Sequence, residues 1–415
     1  MEWSGGGIGG TIFRRQDFDA DEWQSLQSKL NRCRIWASTS KPLPEDMAED
    51  VQKSGLNPDY SRLASADSDS RSRPSREDTR RTPSSRDRPA PPFGIENFSI
   101  SGFAKRNQGV AEVPANEIES IVAVMQHGSR DRRLRATIAT TNILPDSKAN
   151  RRAAVAAGLL GVLVEILEDY SESNKRLSRL AVACLSNLSA EPSVKDAIAN
   201  SGVIPHVTRH LVPMGSKEGR AASAHAAATL WSLCIDNSHI KRKTAATGNT
   251  LSTLMQLILS SDSAIRTQAC GCVGELCVGD DSDLKDELFK LGAVPLFISS
   301  LNQSDHELQH LASVAVCNIC ANNPRNKGAA RHFGAVEAFC TLIKESEKID
   351  HVRDAAAGGL YNLVGKEDRV LVEESGVLEL LARYPGPHYR LIQRRIMGQT
   401  SSVGPTTKRK EDEAG

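Results

Sequence analysis

The sequence predicts an all-α fold of stacked helical repeats, because two short phrases recur along it with the same period. The first phrase is apolar, and each of its six copies has a glycine at the equivalent position: Gly158, Gly202, Gly248, Gly292, Gly334 and Gly376. These glycines are 44, 46, 44, 42 and 42 residues apart. The second phrase contains Asn142, Asn187, Ser232, Glu275, Asn318 or Asn362, at intervals of 45, 45, 43, 43 and 44 residues. Helical patterning with a period of roughly 40–47 residues is typical of an α-solenoid.

Each repeat is predicted to contain three helices with one apolar side. Residues 283–291 form a short amphipathic stretch that ends at Gly292, where a left-handed residue can close a helix without a Cβ clash. Pro295 then stands near the start of the second helix, where its missing N–H costs little. A third helix follows, with Leu311 and Ala315 at helical spacing. Because one repeat cannot bury its apolar side alone, neighbouring repeats are expected to stack.

Composition argues against several classes of protein. The formal net charge of +1 argues against bulk attraction to nucleic acid or to an anionic membrane. There is no apolar run of 18 residues, and Glu2 followed by glycines is not the start of a signal peptide. Met1-Glu2-Trp3 also offers no glycine for myristoylation, so no membrane anchor is expected. We therefore expect a cytoplasmic protein, and the basic run at residues 408–410 is a weak signal for the nucleus.

Residues 1–114 are predicted to be a mostly disordered regulatory tail. Residues 65–88 are rich in Ser, Arg, Asp and Pro and have almost nothing to bury. Thr82, which precedes a proline, is a candidate phosphorylation site. Two apolar islands interrupt the tail: residues 18–36 are expected to be helical and residues 93–103 to be extended. These islands either pack on the side of the repeats or dock in a groove, of this chain or of a partner.

Neither a metal, nor a cofactor, nor catalysis is expected. Cys317 and Cys320 have the C-x-x-C spacing of a metal motif, but the matching copies of their phrase carry other residues. Cys270, Cys272 and Cys277 likewise fall on predicted repeat helices, where free Cys packs as a small hydrophobe. No Ser or Cys nucleophile has a spacing that suggests a base and an orienting group. There is also no phosphate-binding G-x-x-x-x-G-K-[ST] loop, so the chain is predicted not to be an enzyme.

The order of a short helix, a glycine, a second helix and a long helix ending in the Asn phrase resembles the armadillo-repeat family. The resemblance covers about residues 115–398, with six repeats and a terminal helical cap at residues 367–397, and leaves residues 399–415 as a disordered tail. It implies a right-handed armadillo-type α-solenoid, a superhelix of three-helix repeats. It also implies that the third helices line a concave groove that binds extended peptides or whole protein partners.

The resemblance assigns a binding role to the Asn phrase, since in peptide-binding armadillo proteins this Asn hydrogen-bonds the ligand backbone. The role carries over to Asn142, Asn187, Asn318 and Asn362. At the matching positions Ser232 could still bond, whereas Glu275 would repel an acidic ligand and attract a basic one. The other interpretation is that each Asn satisfies a carbonyl of its own solenoid, and both remain open for any one residue. Further candidate groove residues are basic or aromatic: Arg135, Lys175, Arg176, Arg179, His225, Trp231 and Tyr361.

The sequence therefore predicts a non-enzymatic scaffold or adaptor that binds proteins in a helical groove and is regulated by its tail. An alternative is a regulator of nucleotide exchange for a small GTPase or a chaperone ATPase, which would use the same concave face. A nuclear import adaptor is the weaker hypothesis. Import receptors of the alpha type place a Trp four residues before each Asn, and here those positions are Ile138, Ala183, Ala228, Gly271, Val314 and Gly358.

Overall fold

The computed structural model describes residues 98–107, 112–212, 216–384 and 388–398. Within these ranges the regular structure is helical, with 21 α-helices, four short 3-10 helices and no β-strand. The predicted all-α class is confirmed. Contacts divide the chain into two compact units. The N-terminal unit includes residues 98–233 and 247–252, and the C-terminal unit includes residues 234–246 and 253–398.

The N-terminal unit begins before the predicted first repeat and contains the first nine described α-helices. These are α1 (Ile100–Arg106), α2 (Ala115–His127), α3 (Arg130–Ile143), α4 (Lys148–Ala156), α5 (Leu159–Glu168), α6 (Lys175–Ser189), α7 (Lys195–Asn200), α8 (Ile204–Thr208) and α9 (Lys217–Cys234). Short 3-10 helices at Glu172–Asn174, Pro192–Val194 and Arg209–Leu211 join some of them.

The remaining α-helices follow the same order of short, short and long. They are α10 (Ser238–Ala245), α11 (Thr250–Leu257), α12 (Ser263–Leu276), α13 (Ser282–Lys290), α14 (Ala293–Leu301), α15 (His306–Cys320), α16 (Pro324–His332), α17 (Ala335–Glu345), α18 (Asp350–Leu363), α19 (Arg369–Glu374), α20 (Val377–Leu381) and α21 (His388–Ile396). A 3-10 helix at Lys366–Asp368 precedes α19. Helix α11 is divided between the two units, and the other helices of this group belong to the C-terminal unit.

The longest helix of each repeat is the one that carries the Asn phrase. We call α3, α6, α9, α12, α15 and α18 the third helices, and each has 14–18 residues. The six repeat glycines precede the second helices, and their φ angles lie between 50° and 86°. The prediction of a left-handed residue at Gly292 is thus confirmed, and Pro295 lies in the first turn of α14 as expected.

Within each unit the third helices pack against one another. Helix α3 contacts α6 in the N-terminal unit, and α12, α15, α18 and α21 contact one another in series in the C-terminal unit. The backbones of α12 and α15 approach closely, because a Cβ built on Gly274 would lie 3.1 Å from the Cβ of Ala315. The core is mostly aliphatic, and its largest fully buried side chains include Phe297 and Phe339. No helix among the described residues is both long enough and apolar enough to cross a membrane.

The expectation that residues 93–103 are extended is wrong for the part that the structure describes. Helix α1 starts at Ile100, after Ser99, whose hydroxyl accepts a hydrogen bond from the backbone N–H of Gly102 at 3.1 Å. Phe103 is fully buried, and Arg132 on α3 donates to the carbonyl of Phe98 at 2.9 Å. Burial of one aromatic ring therefore outweighs the weak local propensity and makes α1 part of the fold. The predicted helix at residues 18–36 and the tail at 399–415 lie outside the described residues.

Candidate protein-binding face of the third helices

The six residues of the Asn phrase occupy equivalent places in the structure. Each lies in the last turn of its third helix: Asn142 in α3, Asn187 in α6, Ser232 in α9, Glu275 in α12, Asn318 in α15 and Asn362 in α18. We call these the ladder residues. Residues four, seven and eleven positions earlier lie on the same side of an α-helix, and we call that side the ladder face.

In the N-terminal unit, two ladder residues bind the end of the preceding third helix. The side-chain amide of Asn187 donates to the carbonyl of Thr141 at 3.2 Å, and the hydroxyl of Ser232 donates to the carbonyl of Ser189 at 2.6 Å. The last carbonyls of a helix have no intrahelical partner. Residue 145, four positions after Thr141, is a proline and has no N–H to donate. The ladder residue of one repeat therefore caps the third helix of the repeat before it.

The same contact recurs in the C-terminal unit. Asn318 donates from its amide to the carbonyl of Gly274 at 3.2 Å, while the N–H of Val278 bonds to Glu275 instead. Asn362 hydrogen-bonds the thiol of Cys317, which occupies the place of Gly274 one repeat later. Burial raises the pKa of that thiol to about 12, and the bond from Asn362 opposes the rise. These ladder residues thus link successive repeats within their unit.

The capping bonds leave part of each amide unused. An Asn side chain has two N–H donors and one carbonyl acceptor, and each bond described uses a single N–H. Asn187 and Asn318 are half-buried, and Asn142 is exposed. Within the described part of the chain, the Asn142 side chain makes no hydrogen bond. An approaching polypeptide could therefore meet an acceptor and a donor at each Asn of the row.

Glu275 is the exception in the row. Its carboxylate lies 2.7 Å from the ammonium group of Lys241, and the two side chains are only 16% and 8% exposed. Lys241 also donates to the carbonyl of Val278 at 3.2 Å. The expectation that Glu275 would attract a basic ligand is therefore corrected, because its charge is already neutralised inside the protein.

The predicted basic groove residues differ in their exposure and in their ion pairs. Arg135 and Arg176 are exposed on the ladder face, seven and eleven residues before Asn142 and Asn187 respectively. Lys175 pairs with Glu172 at 2.5 Å. Arg179 is half-buried, and its charge adds to the effect of burial in lowering the pKa of His210 to about 4.

The predicted aromatic residues are all half-buried. Burial lowers the pKa of His225, which lies on the ladder face of α9. Trp231 directly precedes Ser232 and is therefore turned by about 100° away from the ladder face. The ring of Tyr361 is covered by the guanidinium of Arg395 at 4.7 Å, and Arg395 also donates to the Tyr361 carbonyl at 2.8 Å. Of these three, His225 alone shares the ladder face.

Parts of the chain are similar in sequence to known proteins. No family model matches the chain. Importin subunit alpha-1b of Oryza sativa subsp. japonica is 31% identical over 148 residues, which make up 35% of this chain and 27% of the relative. Vacuolar protein 8 of Candida albicans is 24% identical over 204 residues, or 49% of this chain and 33% of the relative. The chain thus spans about a quarter to a third of the length of these relatives.

The decisive comparison is with solved structures. A designed armadillo repeat protein matches with a TM-score of 0.54 at 21% identity, over 60% of this chain and 100% of the design. A computationally designed armadillo repeat protein for modular peptide recognition matches with a TM-score of 0.52 at 20% identity, with the same coverage. The chain has the armadillo-repeat fold.

The floor of the armadillo ladder face is built from small or aliphatic residues. The positions four residues before the ladder are Ile138, Ala183 and Ala228 in the N-terminal unit and Gly271, Val314 and Gly358 in the C-terminal unit. Ala183 is 8% exposed, and Gly358 lies against the ring of His388, which a Cβ would meet at 3.7 Å. We call this row of short side chains the low floor of the ladder face.

The repeats also contain a periodic row of basic residues, which the sequence analysis did not identify. A basic residue stands seven positions before each repeat glycine, on the first helices and their equivalents: Arg151, Lys195, Lys241, Lys285, Lys327 and Arg369. Lys285 is 2% exposed and donates to the carbonyl of Ala321, just after α15, at 2.6 Å. A cation suits the carbonyl end of a helix. The signal that could have revealed this row is its spacing, which repeats the glycine intervals.

The armadillo repeats also contain a serine close to a histidine. The hydroxyl of Ser178 lies 2.8 Å from Nε2 of His210, but Ser178 is only 7% exposed. Since the pKa of His210 is lowered to about 4, that ring is a weak general base near neutral pH. The eight described cysteines are free and buried. Across the described ranges no group of three or more His, Cys, Asp or Glu side chains is placed to hold a metal ion.

Proposed function

We propose that this armadillo protein is a non-catalytic scaffold or adaptor that binds partner proteins on the ladder faces of its third helices. The observation that carries the proposal is the row of half-exposed Asn side chains that retain unused polar atoms above a low floor. A structural neighbour described as designed for modular peptide recognition supports the same use of the fold.

Backbone recognition follows from the chemistry of the row. An extended peptide presents unpaired N–H and C=O groups, and a side-chain amide can donate to one and accept from the other. Because the capping bond to the neighbouring repeat fixes the amides of Asn187 and Asn318, little side-chain entropy is lost there when a partner binds. The Asn row would therefore hold a partner's main chain in register, while residues along the ladder face select its side chains.

An adaptor is favoured over an import receptor. The relatives include importin alpha subunits, but the six floor positions carry no tryptophan that could clamp a lysine side chain. We place the adaptor in the cytoplasm, with access to the nucleus. Residues 1–97 would act as a tether whose phosphorylation, for example at Thr82, promotes docking of a tail segment on the N-terminal unit.

Selection from a random peptide library tests the proposal. Random 12-residue peptides would be selected against the full chain, and the dissociation constants of enriched peptides would be measured for Asn142→Ala, Asn187→Ala and Asn318→Ala. Asn302→Ala, an exposed site at the end of a second helix, is the matched control. We expect at least one ladder variant to weaken binding about five- to tenfold, which corresponds to about 1–1.4 kcal/mol, and the control to leave it unchanged. Equal affinity for every variant would refute the proposal.

A further inference from the structure

Charge is distributed unequally between the third helices of the two units. Helices α3, α6 and α9 contain nine Lys or Arg residues and two acidic ones, whereas α12, α15 and α18 contain two basic and four acidic residues. Both basic residues of the second group are paired: Arg266 with Asp305 at 3.3 Å, and Arg353 with Asp350 at 2.7 Å. The third helices of the N-terminal unit therefore carry an excess of basic over acidic side chains, although Arg133 pairs with Glu165 at 3.7 Å and Lys175 with Glu172 at 2.5 Å.

Two of these arginines stand directly on the ladder face. Arg135 and Arg176 are exposed, and helical periodicity aligns them with Asn142 and Asn187. In the described part of the chain neither guanidinium forms an ion pair. Arg135 makes one long hydrogen bond, 3.3 Å, to the carbonyl of Asp131 in its own helix. Both side chains thus keep the paired N–H groups with which arginine binds a carboxylate.

The surroundings of the two arginines contain charges of both signs. Lys175 and Arg179 flank Arg176 on the same helix, and Lys175 faces an acidic side chain, Glu172, that is 84% exposed. Asp131 is the acidic residue of α3. His225, the ladder-face residue of α9, is uncharged near neutral pH because burial lowers its pKa. The two basic neighbours are thus matched in number by two acidic ones, and the net positive charge of the face comes from Arg135 and Arg176 themselves.

We propose that the ladder face of the N-terminal unit binds an extended partner segment rich in Asp and Glu. The inference rests on the proposed function and specifies the chemistry of its partner. The Asn row would hold the main chain, while Arg135 and Arg176 each take a carboxylate in a two-pronged hydrogen bond. The floor at Ile138, Ala183 and Ala228 is aliphatic and gives nucleobases no ring to stack on, so an acidic peptide fits the face better than a nucleic acid.

A direct binding assay tests this assignment. The probe is a fluorescein-labelled 12-residue peptide of alternating Glu and Ala, and its reference is the same peptide with Gln in place of Glu. We expect the Glu peptide to bind about tenfold or more tightly than the Gln peptide at about 0.1 M salt, and this advantage to shrink in about 0.5 M salt. In the double variant Arg135→Gln and Arg176→Gln, affinity for the Glu peptide should fall about tenfold.

A matched control separates local from bulk charge. Arg390 and Arg394 are exposed on α21, and changing both to Gln removes the same net charge elsewhere. That variant should bind the Glu peptide within about twofold of the unaltered chain. Equal affinity for the Glu and Gln peptides, equal losses in the two double variants, or tighter binding of a 12-nucleotide single strand than of the Glu peptide would each overturn the inference. Selected library peptides that depend on the Asn row but lack acidic residues would overturn it while leaving the proposed function intact.

Discussion

Asn187 donates from its side-chain amide to the carbonyl of Thr141, one repeat earlier, at 3.2 Å. Asn318 makes the equivalent bond to Gly274, also at 3.2 Å. Both acceptors lie in the last turn of a third helix, where the helix itself supplies no donor. The two interpretations of the Asn row are therefore compatible, since one N–H stabilises the stack and the remaining polar atoms stay available to a partner.

Removing a capping amide should lower stability by a modest amount. We expect Asn187→Ala and Asn318→Ala each to reduce the free energy of unfolding by about 0.5–1.5 kcal/mol, because a carbonyl loses its donor. Asn142→Ala should change it by less than about 0.5 kcal/mol, since this exposed side chain caps nothing. Urea denaturation followed by circular dichroism measures all three. A loss for Asn142→Ala as large as for the other two would contradict the capping role.

Two adjacent glycines in α18 should respond differently to the same substitution. A Cβ at Gly359 would overlap the ring of Phe339, whereas a Cβ at Gly358 would meet its nearest neighbour, His388, at 3.7 Å. Gly359→Ala should therefore cost about 1–3 kcal/mol through overpacking. Gly358→Ala should be neutral or stabilising by up to about 1 kcal/mol, because alanine favours the helix. Thermal unfolding of both variants measures this difference in stability. Similar unfolding midpoints for the two variants would show that the packing around Phe339 is loose.

Lys285, a buried member of the basic row, should matter more to stability than an exposed lysine does. Lys285→Met removes the donor to the Ala321 carbonyl and is expected to cost about 1–3 kcal/mol. Lys290→Met, at an exposed position at the end of the same helix, should stay within about 0.5 kcal/mol of the unaltered chain. Chemical denaturation of the two variants measures the difference. If Lys290→Met were the more damaging change, the carbonyl contact would not explain the row.

Acid should destabilise the N-terminal unit through His210. Its folded pKa is about 4, lowered first by burial and then by Arg179, against an ordinary value of 6.5. As pH falls below about 6.5 the unfolded chain takes up the proton first, so stability falls by roughly 1 kcal/mol per pH unit until about pH 4. Comparing urea midpoints between pH 7 and pH 4.5 for His210→Gln and for the exposed-site control His239→Gln tests this. Identical slopes for the unaltered chain and His210→Gln would exclude His210 as the cause.

The sequence predicted the helical class, the left-handed glycines and the third helices because these depend on patterns within one repeat. It could not predict the bond from Asn187 to Thr141 or the neutralisation of Glu275 by Lys241. Such contacts depend on how neighbouring repeats and helices are placed relative to one another within a unit. Local helix propensity does not determine that placement. Helix α1 was missed for a similar reason, since Phe103 favours a helix only because the fold provides a place to bury it.

Photo-crosslinking from the third helices tests the central claim most directly. A photoreactive phenylalanine analogue would be placed at Ala221, an exposed position eleven residues before Ser232 on the ladder face, or at the floor residue Val314. Each variant would be compared with one that carries the analogue at Asn302, directly after a second helix. We predict that a selected peptide crosslinks at Ala221 or at the half-exposed floor residue Val314, and not at Asn302, with mass spectrometry locating the adduct. Adducts formed at Asn302 alone would show that partners bind elsewhere and would contradict the account.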